Sequence, residues 1–470
     1  MESNSDRIPH GLRARRIAII GAGPTGLGAA YRLSELGHQS FTVFERNAFA
    51  GGLAASFCDP SGFTWDVGGH VHFSHYEYFD RVMDRTMGDE WVLHDRESWI
   101  WIRDRFVPYP FQNNIHFLPD REKRECLVGL LRRSKNNAAP PANFAEWIRA
   151  SFGDGIAETF MLPYNFKVWA YPPAELDYKW IGERVAEVDL ERIVLNLLDN
   201  RVDGSWGPNN RFRFPARGGT GEIWRRLAAD MPEDTIRYGC EVTRIAIDQH
   251  VVYFSDGSRE PYDTLISTMP LDQLLSIGDD AGLKTARDRL KYSTVHVFGI
   301  GLAGSAPARL ASKCWIYFPE STCPFYRLTV FSKYSPRNVP NPERYWSLIA
   351  EVSASPAKPV DGEHLSDQVI DGLLTAGVIS SKANVVTCWR YTAEHGYPTP
   401  FLNRDATVEP LLRAFERHGI FSRGRFGAWK YEVSNQDHSF MQGVEVVNHL
   451  AFGTPEMTLH QPATVNARKS

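Results

Sequence analysis

The stretch Arg16-Ile17-Ala18-Ile19-Ile20-Gly21-Ala22-Gly23-Pro24-Thr25-Gly26-Leu27-Gly28 decides the fold. Ile17 to Ile20 is a short apolar run with the length and branching of a buried parallel strand. Gly21, Gly23 and Gly26 follow at G-x-G-x-x-G spacing, and Ala29-Ala30-Tyr31-Arg32-Leu33 reads as a helix. The first glycine permits the tight turn, the second lets backbone approach a pyrophosphate, and the third lets helix and strand pack closely. The helix start offers N–H groups and a positive dipole end to phosphates. A second apolar run, Phe41-Thr42-Val43-Phe44, ends at Glu45, roughly 20 residues beyond the last glycine, where an acid accepts from ribose hydroxyls. Glycine turns also merely connect strands to helices. Here strand, glycines, helix, second strand and terminal acid agree, which predicts dinucleotide binding. Glu45 would repel a 2′-phosphate, leaving FAD or NAD and not NADP.

At 470 residues the chain is long enough for two or three lobes. A hydrophobic content of 43% and a charged content of 23% are those of an ordinary soluble protein. A net charge of −4 carries no polyanion signature, so no nucleic-acid partner is expected. No apolar stretch reaches the length of a membrane span. Arg7, Arg13, Arg15 and Arg16 make a basic leader without the apolar segment of a signal peptide. The six cysteines include no C-x-x-C pair, which suits reduced thiols in a cytoplasmic protein. His70, His72 and His75 alternate with apolar residues and have no cysteine at ligand spacing, so no metal is expected.

After Glu45, Arg46 with Gly51-Gly52 resembles the second glycine pair of glutathione-reductase-like and amine-oxidase-like flavoproteins, which favours FAD. The expected fold is α/β: an FAD-binding Rossmann-like domain with an inserted helical substrate domain and a mixed antiparallel sheet domain. Residues 14–108, 209–290 and 423–470 are expected to form the FAD domain, 109–208 the helical domain and 291–422 the sheet domain. Trp99 to Pro110 reads as a hairpin turning near Asp104. Tyr238 to Ile245 reads as one strand whose backbone meets adenine, and the final helix is expected to begin at Gln442-Gly443-Val444. Arg184, Arg327 and Arg425 lie far apart in sequence, each near aromatics or glycines. Such arginines suit bidentate contact with a diphosphate, and equally a surface ion pair. The sequence has no G-x-S-x-G, no Cys/His pairing and no acid–base dyad, so the chemistry falls to a flavin.

Nearly end to end, the chain resembles the eukaryotic-type UDP-galactopyranose mutases. The resemblance rests on Gly68-Gly69-His70, Pro108-Tyr109-Pro110-Phe111-Gln112-Asn113-Asn114, Pro163 to Ala170 and Gly182 to Ala186. It rests also on Trp206-Gly207-Pro208-Asn209, Phe212 to Thr220, Cys314 to Arg327, His395 to Pro400 and Arg423 to Phe440. It implies a redox-neutral isomerase in which N5 of reduced FAD attacks the anomeric carbon, displaces the diphosphate and lets the sugar reclose as a furanose. NADPH would reduce the flavin transiently, meeting Arg96 and Ser98.

By the same resemblance Arg184 and Arg327 clamp the diphosphate, with Tyr317, Tyr397 and Tyr431 on the phosphates. Tyr109, Gln112, Phe160, Tyr164 and Asn165 hold the base and ribose. Trp169, Asn209, Arg425 and Asn435 line the sugar side, Trp315 also binds substrate, and His70, catalytic together with Arg184 and Arg327, lies with Phe73 by the flavin. The cofactor set comprises Gly21, Gly23, Pro24, Thr25, Gly26 and Glu45, then Arg46, Gly52, Leu53, Gly69, His70 and Val242. Gly424, Arg425, Asn435, Gln436, Asp437 and Ser439 complete it. Asn338 to Arg344 is shorter than the insertion of fungal relatives, so any homo-oligomer is expected to be a dimer and not their tetramer. The same chemistry on a GDP-hexose, an FAD amine oxidase, and a nucleotide-sugar-binding protein without turnover are the competing readings.

Overall fold

A computed structural model describes residues 9–133, 140–204 and 210–467. In chain order, β1 (Ile17–Ile20) leads into α1 (Pro24–Glu35) and back through β2 (Phe41–Glu45). A hairpin of β3 (Ser98–Ile102) and β4 (Arg105–Pro108) precedes four helices: α2 (Asp120–Arg132), α3 (Phe144–Ile156), α4 (Leu162–Trp169) and α5 (Leu190–Asp199). The chain returns through β5 (Ile236–Tyr238) and β6 (Thr264–Ser267). It then builds β7 (Tyr292–Ala303), β8 (Trp315–Tyr317), β9 (Arg327–Val330), β10 (Tyr345–Ala354) and β11 (Val385–Pro398). β12 (Ile420–Ser422) and α6 (Gln436–Phe452) follow, and two short helices, Met457–His460 and Pro462–Asn466, come after them.

Among the described residues two large sheets organise the chain. The first is five-stranded and parallel, in the order β12-β6-β1-β2-β5. All four residues of β1 are buried, as expected for a central parallel strand covered on both faces. The second sheet is seven-stranded and mixed, in the order β11-β7-β10-β9-β8-β3-β4. α2 to α5 pack around a separate apolar core that includes Phe111, Phe144, Ile148 and Phe152.

Three glycines bring helices against backbone. A Cβ on Gly26 would lie 1.8 Å from the carbonyl oxygen of Gly21, so α1 can start directly over β1 only with hydrogen at that position. A Cβ on Gly28 would lie 2.3 Å from the Phe440 carbonyl oxygen, and one on Gly443 would lie 2.0 Å from that of Thr25. α1 and α6 therefore cross in backbone contact near the N-terminal end of α1.

Four expectations need correction. The helix that holds Gln442-Gly443-Val444 begins earlier, at Gln436, and is not the final one, since two short helices, Met457–His460 and Pro462–Asn466, follow it; the polar run Gln436-Asp437-His438-Ser439 disguised its first turn. The stretch Tyr238 to Ile245 is two strands, broken where Gly239 takes φ +72°. The 98–108 hairpin, expected in the FAD part, joins the mixed sheet, because Ser98 to Ile100 pair in parallel with Trp315 to Tyr317. β12, expected in the sheet segment, pairs with β6 in the parallel sheet. The hairpin turn itself falls at Arg103 and Asp104, both at positive φ, the geometry that matches strand twist.

The crossing yields a test. Gly443→Ala would drive a methyl into backbone that cannot move aside, so a loss of about 3 kcal/mol or more is expected. An apparent melting temperature equal to that of the wild type would refute this.

Candidate active site

The glycine turn, α6 and the seven-stranded sheet enclose one cavity of about 1040 Å³. At one end Gly21, Gly23, Pro24, Thr25 and Glu45 line it. Glu45 is buried and pinned at the end of β2: Oε2 accepts from the Ala22 N–H (2.8 Å), and Oε1 from the Asn47 N–H (2.8 Å) and side-chain amide (2.7 Å). Asn47 was not anticipated, although it follows the Glu45-Arg46 pair directly. Arg46, Gly52, Leu53 and Val242 continue the wall, as do Asn435, Gln436, Asp437 and Ser439 from the start of α6.

Gly26 and Gly424 do not line the cavity. Gly26 packs on Gly21, and Gly424 (φ +90°) sits behind Thr25, where a Cβ would come within 2.4 Å of the Thr25 hydroxyl.

A dinucleotide fits this cradle. Gly52, at φ +53°, lets its loop meet Gly23, and a Cβ on it would lie 3.4 Å from the Gly23 Cα. Farther in, His70 lines the wall with Nδ1 buried and unpartnered. Burial pushes His70 down to about 4, with Arg425 and Arg327 acting the same way and Glu351 opposing them. The ring is therefore neutral at physiological pH. Its neighbours in the loop diverge. His72 accepts from Arg213 Nη2 (3.0 Å) between the rings of Phe79 and Trp91. The His75 ring bonds the Asp437 carboxylate (2.7 Å), which also takes the His75 N–H (3.1 Å). Burial alone would raise Asp437, but His438 and His75 hold it down at about 2.

The other end is aromatic and cationic. A π-turn over Ala157–Met161 leads into α4, and such turns recur at functional sites. It stacks Phe160 on Phe111 (4.7 Å) and on Tyr164 (5.2 Å). Tyr109, Gln112, Asn165 and Trp169 line the same side, and the Gln112 amide donates to the Ala186 carbonyl (2.7 Å). Trp169 stands edge-on to Tyr431 (4.8 Å) and Tyr397 (5.8 Å). β8 contributes Trp315 and Tyr317, whose side chains hydrogen-bond each other. Burial raises Tyr109, Tyr164, Tyr317 and Tyr397, so they remain neutral donors. Asn209, with the Trp206-Gly207-Pro208-Asn209 motif, lies outside the described residues.

Arg184, Arg327 and Arg425 all reach this cavity. Arg184 donates through Nη2 to the Glu432 carbonyl (2.8 Å) and lies over the Tyr431 ring, while its Nη1 is buried without a partner. Arg327 binds Glu351 side-on, through Nε (2.9 Å) and Nη2 (2.8 Å). Its Nη1 takes no part in that pair. Burial alone would lower Arg327; Glu351 beside it, with the tyrosines, carries it well above its ordinary value. Arg425 donates to the Gly396 carbonyl (2.8 Å) and the Ser434 hydroxyl (2.9 Å), with its guanidinium over Tyr397. Arg96 lines the cavity over the Tyr109 ring, whereas Ser98 lies behind the wall with its hydroxyl buried and unpartnered. Trp180, Tyr326 and Glu351 were missed from the sequence. Glu351 had a signal: one charge inside the otherwise apolar run Leu348-Ile349-Ala350-Glu351-Val352.

A crystal structure of reduced UDP-galactopyranose mutase superposes with a TM-score of 0.95 and 48% identity, covering 97% of this chain and 98% of that one. The chain belongs to the UDP-galactopyranose mutase family. Residues 24–315 also match the profile of the flavin containing amine oxidoreductases, the broader family to which it belongs. A putative protoporphyrinogen oxidase from Exiguobacterium sp. 255-15 shares the fold alone, at 16% identity and a TM-score of 0.71, over 94% of this chain and 99% of that one. A 4,4'-diapophytoene desaturase of Staphylococcus haemolyticus is 52% identical over 52 residues, 11% of this chain and 10% of the desaturase. FAD is thus the dinucleotide of a mutase-family cavity.

Glu45→Ala would strip a charged acceptor from the Ala22 and Asn47 donors and loosen FAD by about 1–3 kcal/mol. Flavin-to-protein ratios after gel filtration check this, and an unchanged ratio refutes it. Because His70 gains its proton only near 4, its imidazole resonances should show no titration step at the ordinary imidazole value between about pH 5 and 8. A step there that disappears in His70→Gln would contradict the neutral assignment.

Proposed function

We propose that the chain interconverts UDP-galactopyranose and UDP-galactofuranose with FAD as its resident cofactor. The reading is carried by Arg184 and Arg327, which reach one cavity with the FAD cradle, each with guanidinium donors uncommitted. When bound and reduced, FAD supplies through N5 an electron-rich nucleophile for an anomeric carbon, so the exchange of ring form is redox-neutral.

The protein's own work is electrostatic. Cleaving the anomeric bond leaves negative charge on the departing diphosphate, and Arg184 and Arg327 stand ready to receive it. Tyr317, Tyr397 and Tyr431 add hydroxyl donors, and the aromatic walls exclude water that would capture the sugar. Phe160 and Tyr164 offer a stacking face for a base, with Gln112 and Asn165 beside it. His70, neutral, adds no charge to the flavin side. Arg96, over Tyr109 at the rim, supports NADPH as the transient reductant.

Dithionite- or NADPH-reduced protein incubated with UDP-galactose should give furanose product by chromatography, and oxidised protein should give none. Product from a GDP-hexose alone would move the specificity and keep the chemistry. No product with any sugar would overturn the mutase reading. Arg184→Ala or Arg327→Ala should lower kcat/KM by about a hundredfold or more; near-normal turnover in either would remove it from the clamp.

A further inference from the structure

Two short turns carry Arg184 and Tyr431 to the cavity: Gly182–Arg184 and Tyr431–Val433. The helix Pro462–Asn466 packs against both of them. Its residues Val465 and Asn466 are buried. Asn466 lines no part of the cavity, yet its Nδ2 donates to the Glu432 carbonyl (3.1 Å). Arg184 donates to that same oxygen through Nη2 (2.8 Å). A carbonyl has two lone pairs, and the two donors occupy this oxygen together.

The shared oxygen belongs to a residue that is itself held. The Glu432 carboxylate accepts from Arg404, Nη1 to Oε2 (2.7 Å) and Nη2 to Oε1 (2.5 Å), and both side chains are buried. The helix is anchored in turn by the segment before it. Arg423 grips Glu456 through Nε (2.6 Å) and Nη2 (2.7 Å), again as a buried pair. Thr458 engages the Glu445 carboxylate with its N–H (2.8 Å) and its hydroxyl (2.8 Å). Removing one partner from a buried ion pair is costly, because the other charge is then left uncompensated. Asn466 therefore meets Glu432 from a fixed support, and neither side of that hydrogen bond can drift to suit the other.

We propose that Asn466 is a positioning residue for Arg184. By holding the Glu432 carbonyl it fixes the point on which Arg184 Nη2 rests, and a guanidinium is planar, so the direction of Nη1 follows. The inference rests on reading Arg184 as part of a diphosphate clamp. Loss of the Asn466 amide leaves the Arg184 charge in place but loosens its orientation, so the effect on a diphosphate is felt through Arg184 or not at all.

The test is a double-mutant cycle. UDP is titrated calorimetrically into the FAD-loaded protein in four forms: wild type, Asn466→Ala, Arg184→Ala and the two substitutions together. Asn466→Ala should weaken UDP about fivefold when Arg184 is present and by less than about twofold when it is absent, since members of one hydrogen-bond network couple. A role confined to packing would cost the same factor in both backgrounds, and that result overturns the proposal. An Asn466→Ala affinity equal to that of the wild type overturns it too. Absence of UDP binding to the wild type, or an Arg184→Ala affinity equal to the wild type, is a different failure: it removes the clamp reading and the inference with it. Should Asn466→Ala fail to fold or to retain FAD, Asn466→Ser carries the test. Its hydroxyl keeps the position polar but stops short of the Glu432 carbonyl, so the same contrast between backgrounds is expected, and equal losses in the two overturn the proposal.

Discussion

Backbone meeting backbone at glycine is the constraint from which the rest follows. Gly26 lets α1 begin on top of β1, and Gly28 and Gly443 let α6 cross α1 with carbonyl oxygens where side chains would otherwise stand. Contacts this close fix two helices against one strand without adjustable side chains between them. They bring the first turn of α1 and the first turn of α6 to the rim of one cavity, although the two lie at opposite ends of the sequence. Both turns present N–H groups and positive dipole ends, the arrangement suited to a phosphate-bearing cofactor. Glu45 completes the cradle because β2 pairs with β1 in parallel register and ends level with the glycine turn.

The second sheet imposes a different economy. It delivers Arg327, Tyr317 and Tyr397 from strands whose backbone is already paired, so the side chains are held by rigid elements and not by loops. Placing guanidinium groups among aromatic rings removes them from water, which is costly unless each charge finds acceptors. Arg327 finds Glu351, Arg425 finds the Gly396 carbonyl and Ser434, and Arg184 finds the Glu432 carbonyl. In each case some donors are spent on holding the residue still. For Arg184 and Arg327 one donor group is left over: Arg184 Nη1 is buried without a partner, and Arg327 Nη1 takes no part in the pair with Glu351.

What could be read in the sequence was local. The strand, glycines, helix and terminal acid of residues 17–45 follow from spacing alone, as does the Arg103-Asp104 turn. Partnerships across long separations were opaque. Nothing in Ser98 to Ile102 shows that it will pair with Trp315 to Tyr317, because a strand's pattern specifies which face is apolar and not which strand lies beside it. Glu351 stood out as a lone charge in an apolar strand, but its partners, Gly69 and Arg327, were opaque for the same reason. The aromatic and arginine motifs were visible as residues, but only likeness to a known family ordered them into a site. Gly26 and Gly424 show how little a glycine in a sequence says of its neighbour, for the close approaches they permit are to the Gly21 carbonyl and the Thr25 side chain.

The cradle's composition from both ends of the chain bears on its biosynthesis. Residues 21–53 leave the ribosome early, whereas Arg425, Asn435 and Ser439 emerge only near the end of translation. Until α6 arrives, α1 has no cover on the face that bears Gly28, and the nascent chain holds half a flavin site. Domains otherwise tend to fold from the N-terminus as they are made. Here acquisition of the vitamin-derived cofactor follows synthesis of the polypeptide, and a chain stalled before residue 436 is an apolar client for chaperones.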